Sequence, residues 1–221
     1  MLKGIFITGT DTGVGKTYVA AGISAALRSR GIDVGVMKPA ETGCRVRAGK
    51  LVPSDALNLI KAAESRDALS LVNPYRFRNP LAPLTAAEFE GKKISEDKIL
   101  SAYYTLSRRH EFMIVEGAGG IMVPLSEKYL YLDLAAALGL PVLIVARPGL
   151  GTINHTLLTI AVLQERGITV SGIVINYADS RKPGLAEKTS PAFIEKFSGV
   201  KILGIVQHGS QDFDGIVELI K

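Results

Sequence analysis

The stretch GTDTGVGKT, residues 9–17, follows the apolar run IFIT and leads into KTYVAAGISAAL, whose apolar residues recur at helical spacing. Strand, glycine loop and helix in that order form the setting in which a chain cradles phosphate. The loop and the helix N-terminus supply backbone N–H donors, a lysine reaches the β- and γ-phosphates, and a hydroxyl takes Mg²⁺. Those donors converge only when the strand stops beneath the start of the helix, so the stretch constrains the whole architecture to α/β. Four residues separate the first Gly of the usual pattern from Gly-Lys-Ser/Thr. That spacing asks for Gly at position 10, where the chain has Thr10, and its Gly stands one place earlier, at Gly9. The displacement leaves the phosphate contact intact in principle, because the donors belong to the backbone of Thr12, Gly13, Val14 and Gly15 and of Lys16, Thr17 and Tyr18. Asp11 is the odder residue. A carboxylate beside a polyphosphate repels it unless the carboxylate holds a cation.

Further short runs, nearly all apolar, recur along the chain: VGVM at 34–37, FMIV at 112–115, VLIV at 142–145, SGIVIN at 171–176 and VKILGIV at 200–206. Runs without alternation are the mark of strands covered on both faces. Between them lie helical patterns over 16–30, 54–64, 95–109, 131–139, 152–166, 189–198 and 212–220. The alternation predicts a doubly wound, mainly parallel sheet in one P-loop NTPase-like domain spanning 1–221. The segment 72–94, with Pro74, Pro80 and Pro83, reads as an irregular excursion that could line a site.

In such sheets ligands bind beyond the carboxyl ends of the strands. After the second strand, MKPAETGC places Lys38 where it could neutralise a transferring phosphoryl group. Ser54 reads as an N-cap, which puts Asp55 in a first helical turn, as a dipole partner or a Mg²⁺ ligand. After the third strand, VEGAGG sets Glu116 where nucleotide-binding folds present a metal carboxylate. Gly117, Gly119 and Gly120 let the backbone approach a ligand closely, and Gly117, Ala118 and Gly119 are candidate nucleotide contacts. After the fourth, Gly149 and Gly151 precede a helix whose first turn holds Asn154, an anion site by its free N–H groups. Asn176 ends the fifth strand and could read a nucleobase. His110, His155 and His208 lack metal-ligand spacing and read as structural.

Composition removes several other functions. One cysteine in 221 residues leaves no disulfide framework and suits a reducing, cytoplasmic setting. MLKGIFITG runs straight into strand and loop, which predicts no cleaved leader, and no apolar run is long enough to span a membrane. The net charge of +5 is dispersed, so nucleic acid is not the expected partner.

GTDTGVGKT, KPAETG, PSDALNL, NPYRF with NPLAP, VEGAGG and LGTINHTLLT, in this order and spacing, closely resemble dethiobiotin synthetase, from Gly4 to about Val206. The form with the displaced first Gly looks like that family's own loop. The resemblance implies ATP as co-substrate, Mg²⁺ as cofactor, and closure of the ureido ring of 7,8-diaminopelargonic acid (7,8-diaminononanoate) with CO₂ or bicarbonate. It implies a carbamate, then a carbamic-phosphoric anhydride that the second amine opens. Lys16 and Lys38 would be the converging cations, and Thr17, Asp55 and Glu116 would hold Mg²⁺. Thr42 falls where the family contacts substrate, and Asn176 where it contacts adenine. The family is a homodimer with the substrate at the interface, so Gly149, Gly151 and Asn154 would act from the partner subunit. A diamine substrate also gives Asp11 an ammonium or a basic side chain to hold. The chain departs from the family at Gln207, which stands where the family often has Pro, and in its short tail.

The alternative class is a regulatory P-loop ATPase of the partitioning or positioning type. Its loop carries a second, early Lys where this chain has Asp11 and Thr12, and the terminal DGIVELIK lacks the basic amphipathic face such a protein uses on membranes. The synthetase-like domain of cobalamin-pathway amidases shares the loop style, but those enzymes carry a further domain with a nucleophilic cysteine.

Overall fold

The computed structural model describes residues 4–180 and 182–220, so positions 1–3, 181 and 221 of the expected domain lie outside the described residues. In chain order the elements begin with β1 (Gly4–Gly9), α1 (Lys16–Ser29), β2 (Val34–Met37), β3 (Ala40–Glu41), β4 (Arg45–Arg47) and β5 (Lys50–Val52). Then come α2 (Ser54–Ala62), α3 (Leu69–Val72), β6 (Tyr75–Arg76), α4 (Pro83–Phe89), α5 (Glu96–Ser107) and β7 (Phe112–Gly120). The chain continues through β8 (Pro124–Ser126), β9 (Tyr129–Leu130), α6 (Tyr131–Leu138), β10 (Val142–Ala146) and α7 (Thr152–Glu165). It closes with β11 (Val170–Asn176), α8 (Leu185–Ser198), β12 (Ile202–Val206) and α9 (Asp214–Leu219).

The six strands expected from apolar runs form one sheet in the order β12-β11-β10-β1-β7-β2. Every pairing within it is parallel. Helices cover both faces. Phe6 of β1 packs into one apolar cluster with Tyr131, Leu134 and Ile160, while Ile5 and Ile7 pack into the other with Val19, Ile23 and Leu59. Alternate residues of one strand thus feed two cores, which is why these strands are mostly apolar on both faces. Among the described residues no helix is long and apolar enough to cross a membrane.

Three expectations need correcting. The third sheet strand does not end at Val115: β7 runs on through GAGG to Gly120, with a register shift against β1 between Ile7 and Gly9. Glu116 therefore lies within the strand, opposite Ile7, and not at its tip. Helix α8 starts at Leu185, four residues before the expected start at 189, and carries Pro191 inside. The 72–94 excursion is partly regular. It holds β6, paired with β3, and α4, whose first residue is Pro83, where a missing N–H costs nothing. Glu90 ties its turn down by accepting from the Arg78 and Asn79 backbone N–H groups at 2.7 and 3.1 Å. An exposed hairpin, β4–β5, was also unread. Ala48 and Gly49 at its tip both have positive φ, 47° and 73°, as a two-residue primed turn needs.

Candidate active site

The loop of residues 9–17 joins the carboxyl end of β1 to the start of α1. Gly9 is required there for room. A Cβ at Gly9 would come within 2.8 Å of the Asp11 carbonyl and 2.9 Å of Lys16 Nζ. That is the physical reason for the shifted glycine: the loop closes onto position 9, and Thr10 is free to be something else. The Lys16 side chain folds back so that Nζ donates to the Asp11 carbonyl oxygen at 3.1 Å. Burial, and secondarily the nearby Lys38, push the Lys16 ammonium down to about 8.

Asp11 holds a basic side chain. Its Oδ2 accepts from Arg147 Nη2 at 3.1 Å and its Oδ1 from the Thr12 N–H at 2.7 Å. The cation that a carboxylate in this loop calls for comes from the segment after β10, which no local sequence signal would have joined to it.

Lys38, Asp55 and Glu116 meet across three elements. Lys38 follows β2 and is 3% exposed, and Glu116 on β7 is fully buried. Lys38 Nζ donates to Glu116 Oε1, to the Gly117 carbonyl at 3.3 Å, and pairs with Asp55 Oδ2 at 3.0 Å. Burial works against the Lys38 ammonium, but Glu116 and Asp55 together outweigh it and hold its pKa above the ordinary lysine value. Thr17 Oγ1 donates to Glu116 Oε1 at 2.8 Å. Glu116 Oε2 is buried without a partner, a costly condition for a carboxylate oxygen and the mark of a ligand position. Asp55 is more open, with 38% of its side chain exposed. Hydroxyl, buried carboxylate and half-open carboxylate are hard oxygen donors that suit Mg²⁺, which keeps several of its waters. No cluster of three or more His, Cys, Asp or Glu with metal-holding geometry occurs among the described residues. A metal here would rest on two carboxylates and the hydroxyl.

Lys16, Thr17, Lys38, Asp55 and Glu116 line one cavity of about 720 Å³ that also takes in Thr12, Gly13, Gly15, Thr42, Ala118 and Gly119. Pro80, Leu81, Ala82 and Pro83 form its outer wall, so the excursion between β2 and β7 does line the site. Glu41, which sequence reasoning passed over, is a further wall residue. Its carboxylate accepts from the Asp55 and Ala56 N–H groups at 2.9 and 3.0 Å. Ser54, expected as the N-cap of α2, is its first residue; the residue before it, Pro53, has no side-chain acceptor, and Glu41 caps the helix instead. The signal in KPAETG was an acid among pocket residues, but a cap from another element leaves no spacing to detect.

A second cavity, about 450 Å³, opens on the other side of the loop. Gly13, Val14, Arg147, Gly149 and Asn176 line it together with the segment around Lys182 to Glu187. Asn176 is buried, and its Nδ2 donates to the Val14 carbonyl at 2.9 Å, leaving Oδ1 buried and unpartnered. Oδ1 is the amide atom with no partner, and Nδ2 keeps a second N–H. Gly149, Gly151 and Asn154 do not share the large cavity with Thr42; within one chain the two groups stand apart. Gly117 reaches the cluster through its carbonyl, and Tyr18 points away, its hydroxyl donating to the Ser210 carbonyl.

Cys44 sits beside this site, 3% exposed, with its thiol pushed up to about 11 by burial and by Glu41. At pH 8 roughly one thiol in a thousand is then a thiolate. The native chain is expected to resist alkylation over a period in which the urea-unfolded chain is fully labelled. Equal labelling rates would show that this wall opens freely.

A protein-family model described as an AAA domain matches residues 3–211. The chain is 43% identical to the ATP-dependent dethiobiotin synthetase BioD of Thermodesulfovibrio yellowstonii, over 94% of this chain and 90% of that protein. It is 48% identical to the protein of that name from Bacillus licheniformis, over 92% and 85%. To that of the archaeon Methanocaldococcus jannaschii it is 43% identical, over 95% and 96%. Two solved structures share the fold at low identity. One is a ParA family ATPase from Chlorobium tepidum, with TM-score 0.56, 15% identity, and coverage of 99% of this chain and 98% of that one. The other is from a MinC:MinD cell division complex of Aquifex aeolicus, with TM-score 0.57, 18% identity, and coverage of 98% and 86%.

Proposed function

This chain belongs to the ATP-dependent dethiobiotin synthetases, ligases of biotin biosynthesis, and from that premise we propose that its Lys16, Lys38, Thr17, Asp55 and Glu116 carry the ring closure. The buried cation between two carboxylates, Lys38, is the observation that supports this most. A buried lysine with two acidic partners stays charged, and a permanent positive charge is what a carbamate meeting a γ-phosphate needs.

One amine of 7,8-diaminopelargonic acid takes up CO₂, loses a proton and becomes a carbamate, in the large cavity near Thr42. A carbamate oxygen attacks the γ-phosphorus of ATP, and the bond to the β–γ bridging oxygen breaks, releasing ADP. The second amine then attacks the carbamoyl carbon, phosphate leaves with its electron pair, and a proton is lost as the ureido ring closes. Three anionic groups crowd together before the second step. Lys38 lowers the cost at the attacking carbamate, and Lys16 leaves the Asp11 carbonyl to meet the phosphates. Thr17, Glu116 and Asp55 would hold Mg²⁺, which neutralises charge on the β- and γ-phosphates. The N–H groups from Gly13 to Tyr18 hold the phosphates, the Thr12 N–H being taken by Asp11, with Ala118 and Gly119 facing the same cavity. The adenine belongs in the smaller cavity, where Asn176 Oδ1 would accept from its amino group.

Gly149, Gly151 and Asn154 stand away from Thr42 in one chain. Their place in the family reading is therefore taken by a second copy, whose α7 start would receive the substrate carboxylate in a homodimer. The single cysteine suits a cytoplasmic setting.

Bicarbonate labelled with ¹⁸O tests the order of steps, because the anhydride route delivers one labelled oxygen into the released phosphate. Unlabelled phosphate alongside labelled dethiobiotin would rule the anhydride out. Glu116→Gln is expected to raise the Mg²⁺ concentration for half-maximal turnover by about tenfold or more. An unaltered titration would remove Glu116 from the metal.

A further inference from the structure

Glu41 is 4% exposed, and its carboxylate is spent on the first turn of α2. Oε1 accepts from the Asp55 N–H at 2.9 Å and from Ser54 Oγ at 3.4 Å, and Oε2 accepts from the Ala56 N–H at 3.0 Å. Its own backbone is pinned. β3 pairs with β6, and the Glu41 carbonyl accepts from the Phe77 N–H at 2.9 Å. Burying a carboxylate beside Asp55 is a costly way to cap a helix. A Ser or Asp at position 53 would do so locally, yet Pro53 stands there.

The cost has a geometric return. Lys38 and Glu41 lie three residues apart on one rigid segment, and Asp55 lies on another element. Lys38 holds the Asp55 carboxylate at 3.0 Å, while Glu41 holds the Asp55 backbone N–H. Two points of attachment from the same segment fix both where Asp55 sits and which way it faces.

We propose that Glu41 is a positioning residue of the reaction, gripping the first turn of α2 so that Asp55 faces Lys38 and the Mg²⁺ position. This rests on the reading of Asp55 given above. It assigns Glu41 no contact with the reacting atoms. Partners of this kind, one step removed from a metal, change metal affinity by about 10- to 100-fold when replaced.

The test measures equilibrium binding of a fluorescent ATP analogue against Mg²⁺ concentration, with no turnover required, beside thermal melting. Four proteins are compared: the unaltered chain, Glu41→Gln, Asp55→Asn and the double variant. Glu41→Gln turns an amide N–H₂ against one helix N–H and is expected to raise half-saturating Mg²⁺ about tenfold. Asp55→Asn should do the same, and the double variant should be no worse than Asp55→Asn alone, because Glu41 acts through Asp55. A purely structural cap would lower the melting temperature and leave the Mg²⁺ titration where it was, which would overturn the proposal. So would effects of the two substitutions that multiply. No shift in Asp55→Asn itself would strike the metal assignment of Asp55 first and this proposal with it, whereas a shift there without one in Glu41→Gln strikes this proposal alone. If Glu41→Gln does not fold, Glu41→Gln with Pro53→Ser gives α2 a cap of its own and carries the same comparison.

Discussion

Lys38→Ala is expected to lower turnover by about a thousandfold while changing MgATP affinity by less than about fivefold, because a group that meets charge developing in the transition state acts on kcat far more than on binding. The contacts favour that split. Lys38 Nζ is held by Glu116, Asp55 and the Gly117 carbonyl, whereas the phosphates have Lys16 and the loop N–H groups as donors of their own. The substitution also leaves a fully buried Glu116 without its cation. Breaking a buried pair on one side costs about 3–5 kcal/mol, so the variant has to be assayed below its own melting temperature. Adding Glu116→Gln removes the stranded charge and should return much of the stability without returning turnover. Comparing that combination with Glu116→Gln alone, at saturating Mg²⁺, separates chemistry from folding. Turnover of Lys38→Ala within about fivefold of the unaltered chain would take Lys38 out of the mechanism.

Gly15→Ala should abolish measurable nucleotide binding. Gly15 has φ 92° and ψ 28°, a conformation an L side chain rarely adopts, and a Cβ there would lie 2.0 Å from Asn176 Nδ2. That nitrogen cannot simply retreat, because it donates to the Val14 carbonyl in the same loop. Either the loop or Asn176 has to move, which disturbs the phosphate cradle and the smaller cavity together. Backbone strain and the clash should destabilise the chain by about 2–4 kcal/mol. Gly13 supplies the control. It also has positive φ, 75°, but nothing lies within 4 Å of a Cβ built on it. Gly13→Ala should therefore cost only about 1–2 kcal/mol, the left-handed penalty alone. Isothermal titration with ATP and thermal melting of the pair decide the matter, and equal behaviour of the two variants would mean that Asn176 does not guard the loop.

The large elements were legible because their physics is local. Six strands read as apolar runs because those in the middle of the sheet are buried on both faces, although the edge strand β12 leaves Ile205 exposed, and α1 and α7 announce themselves by periodicity after a glycine loop. β3, β6, β8 and β9 were not legible, since two or three residues carry no period. α4 was hidden by the prolines that surround it, although Pro83 is its proper first residue. In the site, Lys16, Thr17, Lys38 and Glu116 could be found because each follows or ends an apolar run, where such sheets gather ligands. Glu41 could not, and neither could Arg147 as the partner of Asp11. Both act across elements, and nothing in the spacing of one segment records what another brings to it. The direction of Asn176 belongs to the same class: the residue was found, but only its bond to the Val14 carbonyl leaves Oδ1 without a partner.

The most direct measurement is phosphate release from ATP with Mg²⁺ and bicarbonate, with and without 7,8-diaminopelargonic acid, with dethiobiotin followed by mass spectrometry. Release that requires the diamine and matches dethiobiotin one for one is the predicted result. Slow release indifferent to the diamine, with no dethiobiotin formed, would contradict it.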